Sequence, residues 1–190
     1  MQEDIVQVKE QKNNQKKDLN KGITEEEIEE VLEADNEQNV EEVSQSNIQH
    51  ASFSEVDIDG TVEAFDWYIE IPKIKVYAPI EEGIDEDILN RSVGHFEDTS
   101  RKNGNCGLAA HNRGYRVNYF ARLKELEKQD IIYYFVDGRK YQYQITDILI
   151  IYETDWSMLE DTEDNRITLI TCVENREEYR LCIQGVLIEE

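Results

Sequence analysis

The chain has 190 residues with 43 acidic and 20 basic side chains, a formal charge of −23 and an isoelectric point near 4.4. That carboxylate excess argues against a nucleic-acid binder, whose phosphate backbone calls for Lys and Arg, and no Gly-rich phosphate loop is present. Three cysteines without a CxxC pair and three dispersed histidines give neither zinc-ligand spacing nor a disulfide framework, and the length fits one domain, or one domain and a tail.

Residues 1–60 carry 17 acidic and 5 basic residues, are rich in Gln and Asn, and hold no aromatic except Phe53. Low hydrophobicity with high charge cannot offset the entropy of ordering, so this segment is expected to be an acidic, largely disordered stalk or linker. One stretch within it has helical signals. Thr24 suits an N-cap, Glu27 completes a capping box, and Ile28, Val31 and Leu32 make a narrow apolar stripe. The sequence has no run of about 20 apolar residues of the kind that spans a bilayer, and its first residues lack the apolar core of a signal peptide.

Residues 61–190 hold every tyrosine, tryptophan and cysteine and are predicted to form the folded domain. β-Branched and aromatic runs predict strands over 67–71, 73–80, 105–111, 130–136, 140–152, 167–172 and 179–188. Two short helices are expected between them, over 85–90 and over 118–126, where Phe120, Leu123 and Leu126 recur at helical spacing. Gly94-His95-Phe96 reads as turn-like, and Asp137-Gly138 is a tight-turn signal. The fold class is therefore mainly β with a few short helices, and many short strands favour a closed barrel, since closure removes exposed edges.

One part of the domain concentrates chemistry. Thiolate is the reactive form of cysteine, histidine exchanges its proton near neutral pH, and a permanently charged arginine can stabilise an oxyanion. Cys172 ends the strand Ile167-Thr168-Leu169-Ile170-Thr171-Cys172, and Glu174 to Glu178 read as the following loop. In the next run, Leu181, Ile183 and Leu187 share one face and Arg180, Cys182 and Gln184 the other, so a hairpin brings Arg180 towards Cys172. Along Cys106 to His111, Cys106, Leu108 and Ala110 face the core, while Gly107 and Ala109 leave room beside His111. An isolated strand-end cysteine is more often a small buried apolar group, and only its surroundings make Cys172 a nucleophile candidate. Cys182, two residues beyond Arg180, is read as an ordinary strand cysteine, Cys106 as core, and His50 as part of the polar tail.

These residues resemble the sortases, cysteine transpeptidases of bacterial surfaces. Thr168-Leu169-Ile170-Thr171-Cys172 matches the family's TLxTC signature, His111-Asn112 follows a small-residue strand, and Arg180 opens the last strand. Upstream, Ile71 to Gly83, Gly94-His95-Phe96 and Gly104-Asn105-Cys106-Gly107 follow in the family's order. The resemblance implies a closed eight-stranded barrel over 61–190. It implies that Cys172 attacks an LPxTG-like sorting signal to form a thioester, with Arg180 holding the substrate backbone and oxyanion. His111 would protonate the departing amine and then act as base when an amine of a cell-wall precursor resolves the thioester. Substrate contacts are expected from Asn112 and Thr171. Trp156, Met158 and Leu159, in the loop over 152–166, either contact the signal or pack the loop onto the barrel. His95 is structural at the matching family position.

The implied partners are surface proteins bearing sorting signals and a peptidoglycan-precursor amine. The implied location is the extracellular face of the bacterial membrane, with an N-terminal anchor not present in this chain. No cofactor or metal is expected. Calcium at Glu160, Asp161, Glu163 and Asp164, as some relatives use near their substrate loop, is the lesser alternative to a solvated acidic loop. The interval from Cys172 to Arg180 and the lack of an Asp-Pro-aromatic lid lean away from pilin polymerases, leaving the subclass between class D-like and class A/B-like. Two other activities use the same residues or fold: a thiol hydrolase of the same signal, and a non-catalytic β-barrel binding module.

Overall fold

Period-two burial along each strand builds the domain. In β1 (Trp67–Ile71), Ile69 and Ile71 are buried and face inward, and β5 (Ile131–Val136) alternates the same way with Ile132, Tyr134 and Val136. The remaining strands are β2 (Val76–Glu82), β3 (Val93–His95), β4 (Asn105–Ala109), β6 (Arg139–Tyr152), β7 (Arg166–Val173) and β8 (Arg176–Glu189). The computed structural model describes residues 66–190. The expected boundary near residue 60, the helical stretch over 23–32 and His50 lie outside the described residues.

The eight strands close into a barrel in the order β1-β2-β3-β4-β7-β8-β6-β5. Pairings β2–β3 and β4–β7 are parallel and the others antiparallel. Inward side chains from every strand form one apolar core that includes Ile69, Val93, Leu108, Ile132, Tyr143, Leu169 and Ile183. Closure gives both edges of each strand a partner, so backbone N–H and C=O groups are satisfied within the sheet.

Several expectations shift for identifiable reasons. The strand expected from Lys73 begins only at Val76, because Pro72–Ile74 form a 3-10 turn with Pro72 at its start and Lys75 left-handed at φ 56°. The expected helix over 118–126 reduces to a 3-10 turn at Leu123–Glu125. Phe120, Leu123 and Leu126 are all buried, and a spacing of three matches a 3-10 turn better than the 3.6 period of an α-helix. The helix expected over 85–90 is α1 (Glu86–Leu89), whose start is capped by Asp85 accepting from the Ile88 amide at 3.1 Å.

Gly94-His95 is not a turn: it lies in β3, whose three residues are buried between β2 and β4. Gly94 fits there because a Cβ would collide with the Gly83 carbonyl. Asp137-Gly138 does form the tight turn between β5 and β6, both residues having positive φ and joining Val136 to Arg139.

Candidate active site

The TLITC segment divides its side chains between two faces of β7. Ile167, Leu169 and Val173 enter the main core, and Thr171 is buried beside them. Thr168, Ile170 and Cys172 take the opposite, outer face. Ile170 joins a second apolar cluster there with Phe96, Ile151 and Cys182, leaving Cys172 exposed at the strand end. Of the three thiols, burial pushes those of Cys106 and Cys182 up to about 12, so neither supplies thiolate near neutral pH. Cys172 is the solvent-accessible one.

Arg180 lies directly opposite Cys172 in the antiparallel β7–β8 pair. The intervening turn is shorter than the expected loop over 174–178: Val173 pairs with Arg176, so only Glu174 and Asn175 connect the strands, with Asn175 left-handed at φ 56°. A regular ladder from that turn would set residue 177 against Cys172. An irregularity between Cys172 and Val173 sets Arg180 there instead, on the same outer face. The guanidinium donates from Nη1 to the Glu177 and Tyr179 carbonyls at 2.6 and 2.8 Å and from Nη2 to Glu153 at 2.9 Å.

His111 reaches the same end of the barrel through β4. The parallel β4–β7 ladder pairs Ala109 with Ile170, and contacts continue beyond the strand. The Ala110 amide donates to the Ile170 carbonyl, the Thr171 hydroxyl to the Ala110 carbonyl at 2.8 Å, and the Asn112 side chain to the Cys172 carbonyl at 2.7 Å. Arg113 then pairs with Glu174 at 2.7 Å. Thr171 and Asn112 thus fasten the histidine segment to the cysteine strand. The His111 ring stacks on Tyr115, its Nε2 is buried with no hydrogen-bond partner, and burial holds its imidazole below the ordinary histidine range, partly opposed by the Glu86 carboxylate. That burial favours the neutral form of the imidazole.

Three buried polar residues that sequence reasoning did not assign to the site anchor the loop that carries Trp156, Met158 and Leu159. Thr168 donates to the Asn105 side-chain oxygen at 2.7 Å, and the Gln184 amide donates to Thr168 at 3.0 Å. Asn105 also donates to the Met158 and Glu160 carbonyls and Gln184 to that of Met158, so the network holds the loop between β6 and β7. Polar positions on otherwise apolar strands were the available signal, but their partner is a loop more than fifty residues from Asn105 in the chain. Met158 and Leu159 pack on the second apolar cluster, whereas Trp156 is 54% exposed with its ring edge-on to Phe96 at 5.9 Å. Thr168→Val is expected to cost about 1–3 kcal/mol, because Asn105 and Gln184 lose a buried partner, read as a lower midpoint in chemical denaturation. An unchanged midpoint would show that the network does not hold the loop.

His95 is buried elsewhere, between Glu82 at 2.7 Å and Thr99 at 3.2 Å, and faces Trp67 rather than Cys172. Among the described residues no group of three or more His, Cys, Asp or Glu side chains is placed to hold a metal ion. In the acidic loop, Asp164 is paired with Arg166, which lowers its carboxyl. No helix among the described residues is long and apolar enough to cross a membrane.

The model of the sortase domain matches residues 69–188, nearly the whole barrel. The chain belongs to the sortase family. Its sequence is 35% identical to sortase D of Bacillus subtilis (strain 168) over 107 residues, covering 55% of this chain and 52% of that protein. It is 28% identical to sortase A of Bacillus anthracis over 122 residues, covering 63% and 58%. The chain thus spans a little over half the length of these curated relatives. Among solved structures, sortase C-1 from Actinomyces oris superposes with a TM-score of 0.62 at 28% identity, covering 65% of this chain and 73% of that one. The sortase barrel therefore carries the thiol, imidazole and guanidinium at one end.

Proposed function

We propose that this sortase is a cysteine transpeptidase that cleaves an LPxTG-like sorting signal and transfers the acyl group to an amine. The observation that carries this reading is the convergence at one barrel end. Cys172 is exposed, Arg180 is its cross-strand partner, and the His111 segment is hydrogen-bonded to the same strand end.

In the first step Cys172 thiolate attacks the carbonyl carbon at the scissile bond, and the carbonyl electron pair moves onto oxygen. Arg180, turned from its main-chain and Glu153 partners, balances that oxyanion. Collapse re-forms the carbonyl and breaks the C–N bond, with His111 imidazolium giving its proton to the departing amine. The thioester is then attacked by the acceptor amine, His111 takes up the proton, and Cys172 leaves as thiolate. Partial burial of the imidazole disfavours its protonated form, so the acid step draws on the smaller imidazolium fraction of His111.

On this reading the substrates are surface proteins bearing sorting signals and the acceptor is an amine of a peptidoglycan precursor. The site of action is the extracellular face of the bacterial membrane. Trp156, exposed on the wall beside the second apolar cluster, is available to the signal's hydrophobic residue. The test is mass spectrometry of LPxTG-like peptides incubated with the protein, with and without an amine acceptor. Ligated product that depends on the amine is the expected result. Cleavage indifferent to the amine would make the protein a hydrolase, and absence of both product and Cys172 adduct would make it a binding module.

A further inference from the structure

The loop that follows His111 folds back onto it. The Tyr115 ring lies parallel to the imidazole, with centroids 3.5 Å apart and planes 5° from coincidence. Three residues separate the two in a segment that is neither helix nor strand, so regular structure does not create this contact. A backbone reversal does. Gly114 has φ +76°, and a Cβ there would meet nothing within 4 Å, so glycine is required by conformation and not by space.

Other contacts pin the loop. The Tyr115 amide donates to the Asn118 side-chain oxygen at 3.3 Å, and the Asn118 amide returns a bond to the Tyr115 carbonyl at 2.9 Å. At the base, the amide of fully buried Phe120 donates to the His111 carbonyl at 3.1 Å, and the Tyr119 hydroxyl donates to the Arg91 carbonyl at 3.3 Å. Tyr115 itself is 47% exposed and adds little to the core, so packing energy does not account for so close a stack.

The stack covers a group that has no other orienter. His111 Nε2 is buried and hydrogen-bonded to nothing, and no carboxylate of the described residues holds that nitrogen in place. Ring-on-ring contact fixes an imidazole plane without using either nitrogen, leaving both free for proton transfer. The ring faces of tyrosine also tolerate the imidazolium formed during the reaction.

We propose that Tyr115 is a positioning residue for His111, an aromatic plate that sets the imidazole plane and screens it from water in place of a hydrogen-bonding orienter. The proposal rests on the reading of His111 as the acid–base group. Facing the imidazole are Tyr115 from its own loop and, through its field, Glu86 of α1.

The test uses Tyr115→Ala and Tyr115→Phe in the full chain, with two independent readouts. In the first, histidine side-chain NMR follows the His111 titration, assigned with His111→Gln. The wild type and Tyr115→Phe are expected to titrate below the ordinary histidine range. Tyr115→Ala should move upward towards it, since uncovering the ring restores hydration of the charged form. In the second, amine-dependent peptide ligation should lose roughly ten- to hundredfold in kcat for Tyr115→Ala, as expected for a displaced proton-transfer group, with KM unchanged and activity restored by Tyr115→Phe.

A Tyr115→Ala enzyme that titrates and turns over like the wild type would overturn the proposal. So would a change confined to KM with the titration unmoved, which would make Tyr115 a substrate contact. If the wild type ligates no peptide, the proposed function fails, while the NMR titration still decides whether Tyr115 governs His111.

Discussion

Replacing Cys172 by alanine is expected to abolish thioester formation and amine-dependent ligation while leaving the fold intact. Loss of a nucleophile that acts as a unit with its acid–base partner lowers turnover on the order of 10⁴–10⁶-fold. No second thiol can take over. Cys106 and Cys182 are buried, their thiols pushed up to about 12, and Cys182 is packed among Phe96, Ile151 and Ile170. Cys172 contributes little to packing because it is exposed at the end of β7, so the folding midpoint should move by less than about 0.5 kcal/mol. Two measurements check this: peptide ligation rates, and alkylation of the native protein, which should modify one site in the wild type and none in the variant. Ligation that survives in Cys172→Ala, or native alkylation at Cys106 or Cys182, would remove Cys172 from the proposed role.

The second large effect is the reverse case, in the same five-residue signature. Leu169→Ala is expected to destabilise the domain by about 2–5 kcal/mol, the range for a leucine deleted from a packed core. Leu169 is fully buried, sits in the barrel interior, and is bracketed by Leu108 of β4 and Ile183 of β8 in register. All three strands are fixed by ladders on both sides, which limits how far the barrel can close around the missing side chain. Thermal denaturation should show a midpoint lower by on the order of 10 °C for about 3 kcal/mol. Below that transition, ligation per folded molecule should be near the wild-type value, since Leu169 points away from the outer face. A Leu169→Ala protein with an unshifted midpoint would mean that the core relaxes around the missing side chain. Together the two substitutions separate stability from chemistry within TLITC: odd positions hold the barrel, and the last even position carries the thiol.

The grouping of Cys172, His111 and Arg180 came from the resemblance of their segments to the sortases, whereas the β character of residues 67–188, the two-faced reading of β7 and β8 and the Asp137-Gly138 turn were legible in local pattern. These rest on local rules, since side chains alternate along a strand and positive-φ residues mark tight turns. Local rules also explain what was misplaced. A three-residue strand holding glycine and histidine has almost no period to detect, so β3 emerges only from its pairing with β2 and β4. Spacing by three at Phe120, Leu123 and Leu126 satisfies a helix template nearly as well as the 3-10 turn that forms.

Tertiary structure alone decided how the site is assembled. An irregularity in the β7–β8 ladder, rather than the length of the hairpin turn, sets Arg180 opposite Cys172. Parallel pairing of β4 with β7, strands separated by more than fifty residues, brings His111 to the same end. The Asn105–Thr168–Gln184 network and the Tyr115 stack are contacts between side chains that no local pattern couples. Local sequence fixes which face a side chain takes, but register and strand neighbours depend on long-range packing of the closed barrel, and those decide which faces meet.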